Sequence, residues 1–410
     1  MKHVTSTAPL SAPSPATTPS PSARIVALDI ARFVAIVGMI AVHLVVPATL
    51  IDAAPEFDRT AAALAARLAE GNASTLFAVL GGCSIVLASR SALSSGERGR
   101  AVLRVVVRGT IVAFFGMILG FVPTSVVVVL VPFGVAMMCA APFLLLPSGA
   151  LAGVAVVLAL AGGTLNAAVR GSLGIVQDIG SVTPLDLADP VTLLRGLGLT
   201  GMYPVVTWLP YMLVGMLLAR VLVSSPSRAR LWTIVTAGAG AFAVAQSVST
   251  AVARPAAVAA GLPEEFLSLT GFGAPLRTDW WAQLLATPHT GTLTDMMSTA
   301  GVAVAVIGVL AILLPAGSTI PRVLAPIRAA GAAPLTAYTL HVVLTGIATI
   351  PLLLGTAIDE LPWYYAGVGV FALHVVIVVA LGALLARLRR RDPLEALVSG
   401  GVKWLVPRRR

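Results

Sequence analysis

The sequence predicts an all-α, polytopic integral membrane protein: a bundle of about ten transmembrane helices with both termini in the cytoplasm. Three observations predict it. Of 410 residues, 58% are hydrophobic and only 11% are charged, where ordinary globular domains carry about 25%. The apolar residues fall in runs of about 20, enough to cross a bilayer as a helix. The Lys and Arg residues gather in alternate gaps between those runs, so the net charge of +10 reads as a cytoplasmic bias rather than a nucleic-acid surface.

Residues 1–23 are rich in Ser, Thr, Pro and Ala, contain no aromatic residue and are expected to be a disordered cytoplasmic tail. They lack the apolar core of a cleavable signal peptide, so the next segment is expected to act as an uncleaved anchor. The membrane domain then runs over 24–391, with spans near 25–46, 72–90, 102–122, 124–146, 149–170, 199–222, 231–253, 292–315, 334–354 and 362–386. The third and fourth are separated only by Pro123-Thr124-Ser125, and Arg104 and Arg108 in the third must snorkel or face inward. Residues 392–410 form a basic cytoplasmic tail. With the N-terminus inside, 20 of the 27 Lys and Arg residues are cytoplasmic, while 13 of the 17 acidic residues are external. Gly116 and Gly120 form a helix-packing GxxxG. Cys83 and Cys139, both in apolar stretches, read as small buried hydrophobes.

Polar residues inside the spans carry the chemistry. The first span, RIVALDIARFVAIVGMIAVHLVV, holds Asp29, Arg32 and His43. Ionisable groups in a span are costly and face a partner or a wet cavity. Asp29 and Arg32 are three apart, on one helical face where they can pair. His43 lies 14 residues beyond Asp29, about 21 Å along the axis and near the opposite surface. His289, in the external loop 254–291, is expected on that same side. His341 and Tyr338 are placed about two turns from the cytoplasmic surface, near the depth of Asp29 and Arg32, and His374 in mid-span. A lone helical histidine is more often structural, but His43 and His289 can converge. Asn72, Ser74 and Thr75 open the second span, where they cap the helix or bind a substrate hydroxyl. Tyr203, Trp208 and Tyr211 form an aromatic belt or a sugar- or acyl-facing wall. Trp280 and Trp281 read as interface anchors. Asp178, Asp186 and Asp189 lie in the other long external loop. No HExxH, Walker, dinucleotide-glycine or GxSxG pattern occurs.

The opening RIVALDIARFVAIVGMIAVH resembles the first span of the heparan-alpha-glucosaminide N-acetyltransferase family, approximately R-x-x-x-D-x-x-R-G-x-A-x-x-G-M. GNASTLFAVLGGCS, TPHTGTLTDMMSTAGVAVAV, AAPLTAYTLHVVL and DPLEALV resemble its uncharacterised bacterial YeiB-like branch. Phe33 replaces the usual glycine after Arg32, and Asp392 stands where relatives often have glycine. In the heparan enzyme an Asn occupies the place of His43, and the catalytic His lies in the loop after span one; residues 47–71 here contain no His.

The resemblance implies a transmembrane acyltransferase of the plasma membrane. Its donor would be cytoplasmic acetyl-CoA or another acyl-CoA, and its acceptor a hydroxyl or amine of an extracytoplasmic glycan or lipid-linked sugar. His43 or His289 is the expected catalytic base. Asp29, Arg32, Asn72, Ser74, Tyr203, Trp208, Tyr338 and His341 are the expected substrate-binding residues, with Arg104 and Arg108 as further candidates for the CoA phosphates. A thioester is already activated, so no permanently bound cofactor and no metal are expected. Membrane lipid is a partner, a homo-oligomer is compatible with the sequence, and nucleic acid is not expected. A transporter or flippase for a small polar or lipid-linked molecule would use the same buried charges, and a purely structural membrane protein is the third reading.

Overall fold

A computed structural model describes residues 25–407 apart from 179, 276, 316, 318, 319 and 389–391; the expected N-terminal tail lies outside the described residues. In chain order the helices are α1 Val26–Leu44, α2 Glu56–Ala69, α3 Asn72–Ser94, α4 Arg98–Leu119, α5 Leu130–Ala140, α6 Ser148–Leu173, α7 Pro190–Arg195 and α8 Val205–Val223. They continue with α9 Arg228–Val248, α10 Arg254–Ala259, α11 Leu293–Leu313, α12 Ala325–Ala332, α13 Pro334–Leu353, α14 Val368–Leu388 and α15 Pro393–Leu405. Among the described residues there is no strand, and nine helices are long and apolar enough to cross a membrane: α1, α3, α4, α6, α8, α9, α11, α13 and α14. The protein is a polytopic helical membrane protein.

The expected fourth span, 124–146, is the exception. Pro123 ends the preceding segment, and residues 121–129 run non-helically before the short α5. Backbone donors buried in a bundle need partners. Ser181 accepts the N–H of Val128 at 2.9 Å and the Tyr338 hydroxyl that of Val129 at 3.2 Å.

Glycines set the closest helix crossings. Gly82 of α3 lies on the backbone carbonyl of Met212 in α8, and Gly215 of α8 on that of Val79 in α3. A Cβ at either position would overlap those carbonyls, so small residues are required where backbones approach this closely. Cys83 at this crossing donates to the Gly215 carbonyl at 3.2 Å, a packing role; Cys139 is exposed rather than buried. Gly116 packs on Leu130 and Val131, and Gly120 on the Val182 carbonyl.

Both described ends of the chain sit at one end of the bundle. Arg32 near the start of α1 donates to Ser84 midway along α3, and Arg104 near the start of α4 donates to the Val406 carbonyl after α15. The segment 392–407, expected as a tail, contains α15, which packs against α4 and α13. Its Glu395 accepts the Leu335 and Thr336 N–H groups at 2.6 and 3.1 Å, satisfying the N-terminus of α13.

The opposite end is covered by loops. Arg170 at the end of α6 donates to the carbonyls of Phe272, Leu199 and Gly201 at 2.8, 3.1 and 2.8 Å, and Asn166 to that of Gly273 at 2.6 Å. These two side chains bind both long loops together. Asp178 forms a bidentate pair with Arg195 at 2.6 and 3.0 Å, and that hydrogen bonding holds its carboxyl below the usual range. Asp186 joins a capping box with Thr183, and Asp189 caps α7. All three acids are thus spent on loop structure. Trp280 is exposed, but Trp281 is buried against Ala253, Ala257, Leu267 and Leu285, so only Trp280 is free to anchor at the interface.

Candidate functional site

The first span positions polar groups at both ends. Asp29 is buried, and its carboxylate accepts a hydrogen bond from Arg32 at 2.8 Å, with Arg32 also donating to Ser84 at 3.0 Å. Asp29 therefore stands behind Arg32 and orients it. Arg32, Ser84, Arg108, Leu335 and Glu395 line one pocket. Arg108 also lines a neighbouring cavity of about 640 Å³ together with Arg104, Lys403, Ser89 and Ser399. Among the described residues lining this cavity three side chains are cationic and none is acidic. The Ser89 hydroxyl and the Arg104 Nε are buried there without a hydrogen-bond partner among the described residues. Such a cavity suits a phosphorylated or otherwise anionic group, since guanidinium forks match phosphate oxygens.

At the other end of α1, His43 and His289 line a single narrow cavity with Met39, Gly71, Ser74, Tyr203 and Tyr338. The expected convergence of the two histidines occurs. Gly71 has φ +71° where α2 turns into α3, and a Cβ there would meet Pro288 at 3.2 Å, so glycine lets the His289 loop close on the helix entrance. His289 itself adopts φ +61°, a left-handed conformation uncommon outside glycine. Its carbonyl accepts the Gly273 N–H at 2.8 Å, and its ring meets Tyr203 edge-on at 5.6 Å. Burial pushes its pKa down to about 4, so the ring is neutral at physiological pH.

A second polar pocket shares Gly71, Ser74 and His289 and is completed by Thr75, Thr207, Trp208, Tyr211 and Asp295. Tyr203, Trp208 and Tyr211 thus face inward rather than forming a lipid-facing belt. Ser74 lines both pockets and donates back to the Gly71 carbonyl at 3.0 Å. Asn72 lines neither; it donates to the Leu68 carbonyl at 3.1 Å, and neither side chain caps α3.

The depth expected for His341 is not observed. Its Nε2 lies 2.9 Å from Nδ1 of His43, and its Nδ1 lies 3.1 Å from Nδ1 of His374. The reason is α12: Gly331 packs on the Asp29 carbonyl, so α13 starts inside the bundle and its eighth residue reaches the far end of α1. Tyr338 belongs to the His43 cavity, while Pro334 and Leu335 line the Arg32 pocket. Between them Phe77 packs at a tilt on Phe133 and stacks on Tyr338, with centroids 4.9 and 6.4 Å apart.

Asp295 and Glu395 were not singled out in the sequence, and His374 was placed there only as a mid-span histidine with a structural role. Asp295 carries a signal, the Thr292-x-x-Asp295 spacing of a helix start: Thr292 caps α11 by accepting the Asp295 N–H at 3.0 Å, and the Asp295 Oδ2 accepts the Gly291 N–H at 2.9 Å. Among the described residues no group of three or more His, Cys, Asp or Glu side chains is arranged to hold a metal ion.

Fold and site together define a multi-pass membrane protein with a cationic cavity at one end of its first helix and an imidazole-lined cavity at the other. The family model for the catalytic domain of heparan-alpha-glucosaminide N-acetyltransferase matches residues 24–250, and the chain belongs to that family. This is a membrane acetyltransferase-type family. The match includes Arg32, His43 and Tyr203 and ends before His289, His341 and His374. No curated protein matches the sequence.

Proposed function

We propose that the protein is a plasma-membrane acyltransferase moving an acetyl or other acyl group from cytoplasmic acyl-CoA to a hydroxyl or amine of an extracytoplasmic glycan or lipid-linked sugar. The observation that carries this reading is the placement of two unlike cavities along one helix. Arg32 and His43 are eleven residues apart, about 16 Å along α1. The end bearing both described chain ends is the cytoplasmic one, in keeping with its basic residues. Arg104, Arg108, Lys403 and Ser89 would hold the phosphates of CoA there, and its thin pantetheine arm would run past Arg32 towards His43.

The chemistry follows from the side chains. A lone pair on the acceptor oxygen or nitrogen attacks the thioester carbonyl as His43 takes the acceptor proton. The tetrahedral adduct collapses, the C–S bond breaks, and the proton passes to the departing thiolate. A neutral imidazole suits both steps. His289, also neutral, faces the same space and would orient the acceptor, with Ser74, Tyr203 and Trp208 forming the wall against which a sugar ring packs. Asp29, Tyr338 and His341 support the donor guanidinium, the wall between the pockets and His43 respectively. Asn72, outside both pockets, holds the start of α3. The bacterial YeiB-like branch is favoured by the four stretches quoted above, three of which lie beyond residue 250.

The test is thiol release from acetyl-CoA by purified protein with glucosamine as acceptor. His43→Ala and His289→Asn, whose new side chain tolerates the left-handed backbone at 289, should keep the wild-type melting temperature, and loss of the base should lower the rate about 10²–10⁴-fold. Wild-type turnover in both variants would remove either histidine as the base.

A further inference from the structure

We propose that His43, His341 and His374 form a proton relay that fixes the tautomer of His43 and carries its extra proton away from the reacting atoms; this rests on the reading of His43 as the base of acyl transfer. The three rings are linked nitrogen to nitrogen. Nδ1 of His43 is 2.9 Å from Nε2 of His341, with the two ring planes 3° apart. Nδ1 of His341 is 3.1 Å from Nδ1 of His374, whose ring is turned by 77°. His341 and His374 are 1% and 4% exposed, so neither end of the link between them is open to water.

Thr345 sets the direction of the chain. Its hydroxyl donates to the backbone carbonyl of His341 at 2.9 Å, and the same oxygen lies 3.4 Å from Nδ1 of His341. With its hydrogen committed to the carbonyl, the hydroxyl can only accept from that nitrogen. The hydrogen of neutral His341 therefore belongs on Nδ1, where both Thr345 and Nδ1 of His374 receive it. Nε2 of His341 is then an acceptor, and Nδ1 of His43 must carry the hydrogen between the two rings. Nε2 of His43 is left with a bare lone pair, the state a general base requires.

The proton count closes. Nε2 of His43 gains the acceptor proton as its Nδ1 proton moves to Nε2 of His341, whose Nδ1 proton moves to Nδ1 of His374. The net change is one proton lost by the acceptor and one positive charge residing on His374, a full side chain away from the developing adduct. The reverse sequence returns a proton from Nε2 of His43 to the thiolate as the C–S bond breaks. His341 and His374 are positioning residues: neither lines the cavity that contains His43 and His289. Both lie outside the region matched by the family, on helices α13 and α14.

Nitrogen-15 NMR of histidine-labelled protein reads the arrangement directly without a variant. Protonated Nδ1 and bare Nε2 on His43 is the expected spectrum; His43 protonated at Nε2 would overturn the relay. Kinetics with acetyl-CoA and glucosamine supply the second readout. His341→Gln keeps an acceptor for His43 but cannot pass a proton on, and His374→Phe keeps volume without a terminal nitrogen. Each should lower kcat about 10–100-fold, the size of effects seen when a ring's outer hydrogen-bond partner is removed, with KM and melting temperature unchanged. Wild-type kcat in both folded variants would overturn the relay while an inactive His43→Ala kept the base. A fully active His43→Ala would instead remove the base and, with it, the reading on which the relay rests.

Discussion

Asp29 and Arg32 have complementary exposures, 2% and 16% for their side chains. Removing the charge from the buried partner leaves Arg32 without its carboxylate, and breaking one side of a buried pair costs about 3–5 kcal/mol. Asp29→Asn should therefore reduce both folded yield and acyl transfer, and a melting curve with a thiol-release assay checks both. This pair was legible because charges three apart in an apolar run have few other uses. His289 gives a pH prediction. Its folded pKa of about 4 lies below the ordinary value near 6.5, so the folded state disfavours its charged form. The stability it permits is complete above pH 6.5 and is lost as pH falls towards 4. His289→Asn, which tolerates the left-handed backbone, should melt less steeply with acid over that window than the wild type. The pairing of His341 with His43 was not legible, because depth was counted from a helix start that α12 moves into the bundle.

Nine of the ten expected spans correspond to long apolar helices, because hydropathy reports burial in lipid whatever the neighbours do. The fourth failed for a local reason. Residues 124–146 are apolar enough for a span, but the backbone donors of Val128 and Val129 find Ser181 and Tyr338 instead of helical carbonyls. Partners distant in sequence leave no periodic trace. The same holds for α2, a surface helix in a stretch read only as loop, with Phe57, Leu64 and Leu68 exposed along it as an interfacial helix would have them. At the element scale the testable contact is Glu395, whose carboxylate caps α13 from α15. Glu395→Ala should destabilise by about 0.5–2 kcal/mol, the usual effect of losing a cap. It should also weaken acetyl-CoA binding, because α15 supplies Ser399 and Lys403 to the cationic cavity. Calorimetric titration with acetyl-CoA reads the second effect.

Across the whole molecule, the two ends of the bundle are chemically unlike. One holds both described chain ends and the cavity of Arg104, Arg108 and Lys403; the other holds the loops clamped by Arg170 and the cavity of His43 and His289. The asymmetry was visible in the sequence as the division of basic and acidic residues, and the cavities were not, since they are made by helices far apart in the chain. Phe77, Phe133 and Tyr338 stand between the two ends, where an extended donor arm would have to part them. The direct measurement is sided transfer in sealed vesicles containing protein of one orientation. Acetyl-CoA is supplied only at the face bearing the chain ends, and labelled glucosamine only in the opposite compartment. Acetylated glucosamine in that compartment, with stoichiometric thiol release at the first face and loss of both in His43→Ala, is the predicted result. Labelled glucosamine crossing the membrane unmodified, with no thiol released, would contradict it and make the protein a transporter.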